Sequence, residues 1–136
     1  VIPTTTEQAA QLLDKHHLVI MGGTTPGHTT DAVAVAFARD AGAGHCIIAT
    51  NVSHVYDKDP REHEDAQSFS SMTFDQLADI TGIGEPLAPG QSAVIDPIAV
   101  GWAKNAAITL AVLDGRQIPL LEQALDGEPF EGTLIQ

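Results

Sequence analysis

A chain of 136 residues has the length of one domain, and 43% hydrophobic content suffices for a core built from Ala, Val, Ile and Leu, since aromatics make up only 4%. Eighteen acids against six bases leave a net charge of −12, which excludes the basic footprint of a nucleic-acid-binding protein. No apolar run approaches the roughly 20 residues that span a bilayer, and no basic-then-apolar leader opens the sequence, so a soluble, cytoplasmic protein without a membrane partner is expected.

Thr4-Thr5-Thr6-Glu7 carry N-cap signals for a first helix that ends near Lys15-His16-His17. Adjacent histidines on a helix point to different sides, and no cysteine or further histidine supports a metal site there. The apolar run Leu18-Val19-Ile20-Met21 predicts a strand covered on both faces. A second helix is expected from about Thr30 to Ala41, ended by Gly42 and Gly44, and a second strand from His45 to Thr50. Strand, helix, strand in that order predicts a right-handed parallel crossover with ligands at the carboxyl ends of the strands. Cys46, inside the second strand, reads as a buried inert thiol.

Asn51 to Ser71 is polar, turn-rich and longer than a usual connection, which points to a functional loop. A short helix carrying Phe74, Leu77, Ala78 and Ile80 follows, capped by Thr73, and then a Gly/Pro-rich loop from Gly82 to Gln91. Asp96-Pro97 opens a helix to about Asn105, with Asp96 as its cap. A strand from Ile108 to Leu113, a short helix from Pro119 to Leu125 and a last strand from Gly132 to Ile135 complete the chain. The fold class expected is α/β, a three-layer sandwich with a mainly parallel sheet.

The chemistry concentrates after the first apolar run, in Gly22-Gly23-Thr24-Thr25-Pro26-Gly27-His28-Thr29-Thr30-Asp31. Glycines let backbone approach an anion, threonine hydroxyls donate to its oxygens, and free N–H groups at a helix start point towards it. An ordinary strand-to-helix connection with Thr30 or Asp31 as N-cap explains the same residues. Tyr56 offers an aromatic face for a base and Asp59 an acceptor for sugar hydroxyls; a packed loop aromatic and a turn residue before proline are the plain alternatives.

The glycine-threonine run resembles the signature of archaeal-type uridylate (UMP) kinases, within the amino-acid-kinase superfamily. Ala49-Thr50-Asn51-Val52 with Val55-Tyr56 and Asp59-Pro60, then Ala93-Val94-Ile95-Asp96-Pro97, then Gly132-Thr133-Leu134-Ile135, follow in the family's order. The resemblance implies an amino-acid-kinase-like fold and the reaction ATP + UMP → ADP + UDP, with Mg2+ bound through the nucleotide phosphates. It implies that Thr24, Thr25, Pro26, Gly27, His28, Thr29 and Thr30 lie against UMP, and that Thr50, Asn51, Tyr56 and Asp59 line the ATP site. Asp31 matches the aspartate that orients catalytic lysines, and a homo-oligomer, a hexamer, is implied.

Two departures stand out. Ser53-His54 replace the family's Asp-Gly after Asn51-Val52, which puts contact of this loop with nucleotide in question. The family's opening glycine-rich phosphate loop and its lysine have no counterpart, so the chain is expected to be the C-terminal, ATP-side portion, inactive by itself. A non-catalytic nucleotide- or oxyanion-binding or storage module on the same fold, or a related kinase of small phosphates, are the competing readings.

Dispersed acids with few bases suit a halophilic protein, whose strongly solvated surface repels itself at low salt. Thermal unfolding should therefore shift to higher temperature between low salt and molar KCl, as screening relieves the repulsion. An unchanged or falling midpoint removes the halophilic reading.

Overall fold

Side chains that satisfy free N–H groups set the helix starts. A computed structural model describes residues 2–81 and 94–136. Thr5 accepts from the Gln8 N–H to begin α1 (Thr6–Leu12), and Thr29 accepts from Ala32 to begin α2 (Thr30–Asp40). Thr73 and Gln76 form a reciprocal capping box at α3 (Phe74–Thr81). Asp96 accepts from Ile98, with Pro97 in the first helical position of α4 (Pro97–Ala106). The last helix, α5 (Ile118–Asp126), ends on Gly127 at φ 72°, a left-handed conformation that glycine takes without strain.

Four strands form the main sheet in the order β1 (His45–Thr50), β5 (Thr109–Asp114), β6 (Thr133–Ile135) and β4 (Ser71–Met72). The β1–β5 and β4–β6 pairs are parallel and β5–β6 is antiparallel, so the sheet is mixed and mainly parallel. Strand alternation divides its side chains between two layers. Cys46, Ile48, Leu110, Val112 and Ile135 join Val35 of α2 and Ala99, Val100 and Ala103 of α4 in the core. Ile47, Ala111 and Leu134 face the other side, where together with Ala124 and Leu125 of α5 they line a cavity of about 840 Å3. No residue of α5 is fully buried, and Leu125 is 69% exposed.

The expected strand at Leu18-Val19-Ile20-Met21 is absent: the run makes no sheet pairing, and Leu18 and Ile20 are 77% and 76% exposed. A strand exists only through a partner's N–H and C=O groups, and the run from Leu18 to Met21 meets none: the outer edge of β1, where the expected crossover would have placed it, carries no strand among the described residues. The crossover predicted from residues 18–21 to 45–50 is therefore replaced by one from β1 through α4 to β5. A second difference lies between residues 51 and 71. There β2 (Val55–Tyr56) pairs antiparallel with β3 (Ser68–Phe69), and β4 follows at once. Two-residue strands are too short to leave a period in the sequence. The loop expected over Gly82 to Gln91 lies outside the described residues.

Buried Thr133 fastens this hairpin to the sheet: its hydroxyl accepts from the Val55 N–H at 2.9 Å and donates to the Phe69 carbonyl. Five of the six bases sit in ion pairs with aspartates: Arg39 with Asp40, Lys58 with Asp65, Arg61 with Asp59, Lys104 with Asp75 and Arg116 with Asp114. Leu110, fully buried in the central strand, has nowhere to collapse if shortened. Leu110→Ala should lower stability by about 2–5 kcal/mol in urea unfolding, whereas Leu125→Ala should stay within about 0.5 kcal/mol. Comparable losses at both positions would contradict the placement of the core.

Candidate functional site

Short connections decide where the motif residues meet. Residues 41–44 carry the chain from the end of α2 to the start of β1, so α2 runs back across the sheet and its N-terminus lies at the carboxyl end of β1. Ala107 and Ile108 connect α4 to β5 in the same way, and β5 is parallel to β1. Both helix N-termini therefore reach the sheet edge where Thr50 and Asn51 leave β1.

The two N-termini are joined through Asp96. Thr29, the cap of α2, donates its hydroxyl to Asp96 Oδ2 at 2.5 Å, while Asp96 Oδ1 accepts from the Ile98 N–H at 2.9 Å. The Asp96 N–H donates to Asp31 Oδ2 at 3.3 Å. Asp96 is thus more than the helix cap that its sequence position suggests; it is 5% exposed and holds both Thr29 and Asp31. Burial raises the Asp31 carboxyl above its ordinary value, and the Asp96 carboxylate adds to this against the hydrogen bond from its own N–H. Cys46 is buried as expected; desolvation, then the charge of Asp31, pushes its thiol up to about 11, which keeps it inert.

Thr25-Pro26-Gly27-His28 form a β-turn, closed by the His28 N–H donating to the Thr25 carbonyl at 3.1 Å. Proline in the second position and Gly27 at φ 93° in the third are what a type II turn demands. Thr24 is half-buried; Thr25, Pro26, Gly27, His28, Thr29 and Thr30 are open to solvent. The His28 ring meets Trp102 of α4 edge-on at 5.4 Å, and Arg39 lies 5.8 Å from the centre of the Trp102 ring. The hydroxyl of Thr29 is engaged by Asp96.

Thr50, Asn51, Tyr56 and Asp59 line one cavity of about 540 Å3, with Lys58, Arg61 and Val94 among the other lining residues. No residue of the 24–30 turn lines it, so the two groups of predicted residues form separate surfaces at one edge. The neighbouring strand holds the cavity's floor: the Gly115 N–H donates to the Thr50 carbonyl at 2.8 Å, and Arg116 donates to the Asn51 carbonyl at 3.2 Å. A side chain at Gly115 would meet the Ala49 Cβ at 2.9 Å, so the close approach requires glycine. Asp59 accepts from the Arg61 N–H, Nε and Nη2, and the guanidinium holds its carboxyl down to about 2. A carboxylate has about four acceptor directions, so one remains for a ligand hydroxyl.

The family model described as "Amino acid kinase family" matches residues 1–114. The chain belongs to the amino acid kinase family. Among curated relatives it is 40% identical over 135 residues to the uridylate kinase of Methanocaldococcus jannaschii, covering 99% of this chain and 58% of that protein. It is 42% identical over 118 residues to the uridylate kinase of Methanospirillum hungatei, covering 87% of this chain and 50% of that one. The crystal structure of uridylate kinase from Archaeoglobus fulgidus superposes with a TM-score of 0.86 at 33% identity, over all of this chain and 60% of that one. UMP kinase from Ureaplasma parvum, at 20% identity and a TM-score of 0.74 over 97% of this chain and 53% of that one, shares the fold. The chain thus spans a little over half the length of the uridylate kinases it matches.

The sequence reading missed three features of this amino acid kinase site. Asp96 lies in the third motif but was read only as a helix cap; Arg116 sits in a polar turn without a motif; Arg61 follows Asp59-Pro60 but has no position in the four motifs. Lys58 and Arg61 were legible only as scarce cations in an acidic chain.

The raised carboxyl of Asp31 has a consequence for stability. The folded protein holds that proton to higher pH than the unfolded chain does, so stability falls as pH rises through the ordinary carboxylate value. Asp31→Asn keeps an acceptor for the Asp96 N–H and removes the buried charge. It should raise Tm at neutral pH and lose this gain below about pH 4, where wild-type Asp31 is protonated. Melts showing a lower Tm for the variant at neutral pH would contradict the desolvation of Asp31.

Proposed function

We propose that the chain is the C-terminal, nucleotide-holding portion of a UMP kinase, catalysing ATP + UMP → ADP + UDP in the complete enzyme. The observation that carries this reading is the presence of two distinct surfaces at one sheet edge, the 24–30 turn and the Thr50–Asp59 cavity, with Asp96 hydrogen-bonded to both Thr29 and Asp31 at the start of α2. The similarity to archaeal uridylate kinases over nearly the whole chain supports the choice of substrates. Phosphoryl transfer needs an acceptor and a donor held side by side, and positioning with charge stabilisation supplies most of the catalysis.

In this reading the turn from Thr24 to Thr30 presents backbone N–H groups and hydroxyls to UMP, aided by the start of α2. Thr50 and Asn51 at the strand end, the ring of Tyr56 and the remaining acceptor of Asp59 hold ATP. Asp31 is fixed by the Asp96 N–H where it can orient cationic groups around the transferring phosphoryl. Mg2+, carried on the nucleotide phosphates, supplies charge neutralisation when bound. Among the described residues no group of three or more His, Cys, Asp or Glu side chains is placed to hold a metal ion independently of nucleotide.

Titration of the 15N-labelled chain with each nucleotide tests the assignment. ATP should shift the amides of Thr50, Asn51, Tyr56 and Asp59, and UMP those of Thr24 to Thr30. Tyr56→Ala should weaken ATP by about 1–3 kcal/mol, roughly 5- to 150-fold, and leave UMP nearly unchanged, while Thr30→Ala does the reverse. If both nucleotides perturb the same residues, or neither binds, the division into donor and acceptor surfaces is wrong.

A further inference from the structure

Ser53 and His54 occupy the loop between β1 and β2 and do not line the 540 Å3 cavity, whereas Tyr56, three residues beyond Ser53, does. All three side chains are half-buried. Ser53 Oγ shares a hydrogen bond with the Tyr56 hydroxyl at 3.0 Å and another with His54 Nδ1 at 2.9 Å. The His54 ring also stands edge-on to the Tyr56 ring, 6.3 Å between centres and 79° between planes. The phenol is therefore tethered at its far end by Ser53 and buttressed at its side by His54, while its backbone is held in the β2–β3 ladder by the pairing of Tyr56 with Ser68.

We propose that Ser53 and His54 are positioning residues that fix the Tyr56 ring as a wall of the nucleotide-donor cavity. This rests on the donor-site reading given above. An aromatic side chain on a two-residue strand has two free torsions, and a ligand that packs on it must bear the entropy of stopping them. A hydrogen bond at the hydroxyl and a ring at the edge stop them beforehand. The serine hydroxyl has one hydrogen and two lone pairs, so it can serve both neighbours at once, and each bond polarises the other. Because the Tyr56 hydroxyl is engaged by Ser53, the ligand meets the ring's π surface and apolar edge. That surface suits the flat face of a nucleobase, and it does not read the base through hydrogen bonds.

A double-mutant cycle on Ser53→Ala and Tyr56→Phe, read by ATP and UMP titration of the chain, tests this. Each substitution removes the same bond, so each should weaken ATP severalfold and the double variant should be no weaker than either single one. UMP affinity and Tm should stay near wild type, which a merely structural clip would not predict. His54→Ala leaves the Ser53–Tyr56 bond and should weaken ATP by less than Ser53→Ala. Tyr56 is the chain's single tyrosine, so a 13Cζ label gives one resonance whose hydroxyl exchange reports the tether without ligand. Ser53→Ala should speed that exchange. Unchanged exchange, strictly additive losses, or an unchanged ATP affinity in Ser53→Ala while wild type binds ATP each overturn the positioning role. No ATP binding by wild type instead overturns the donor-site reading on which the role rests.

Discussion

The hydrogen bond from Thr29 to the buried carboxylate of Asp96 fastens the starts of two helices that are 67 residues apart in sequence. Everything at the functional edge of the sheet depends on that fastening. One acceptor group caps α4, receives the cap of α2 and, through its own N–H, holds Asp31. Were Asp96 apolar, Thr29 would still cap its own helix, yet the two helices would meet only through side-chain packing. A carboxylate at 5% exposure is tolerated because both its oxygens accept bonds, the condition under which a buried charge is sustained.

On the proposed function, the same arrangement separates binding from chemistry. The turn from Thr24 to Thr30 is open and shaped by Pro26 and Gly27, so it can follow a ligand without disturbing the core. The cavity wall is different in kind: its floor is strand backbone pinned by Gly115 and Arg116, and its side is a hairpin pinned by Thr133. Asp31 lies on neither surface but on the first turn of α2, rigidly placed and incompletely solvated. A carboxylate held out of water is a poor contributor to folding and a good partner for a cation that arrives with substrate.

Long periodic elements and capping residues were legible in the sequence. The Thr4–Glu7, Thr73 and Asp96 signals mark helix starts to within a residue, whereas α2 is capped by Thr29 and not by the expected Thr30 or Asp31; β1, β5 and β6 fall where apolar runs are bounded by turns. The run from Leu18 to Met21 misled for a physical reason: its composition is that of a buried strand, but a ladder needs a neighbour and composition does not name one. The β2–β3 hairpin was hidden because its pairing is fixed by Thr133, 78 residues from Val55, and no local pattern reports such a bond. At the candidate site, Thr50, Asn51, Tyr56 and Asp59 could be grouped because they belong to one motif in sequence. Asp96 and Arg116 could not, since their roles come from partners 67 and 65 residues away.

The pairing of five of the six bases with aspartates bears on how fast an anion can arrive. A chain of net charge −12 whose cations are mostly neutralised at short range presents a nucleotide with a repulsive field at long range. On the function proposed above, capture rests on N–H dipoles and hydroxyls that act only at contact, beyond a barrier that the chain's own charge erects. Added salt thins that barrier within a Debye length of about 10 Å at 0.1 M, so ionic strength quickens the encounter while leaving the residence time, set by those short-range contacts, almost untouched. On that proposal, the usual relation for phosphate-binding proteins, in which salt slows association, is turned around.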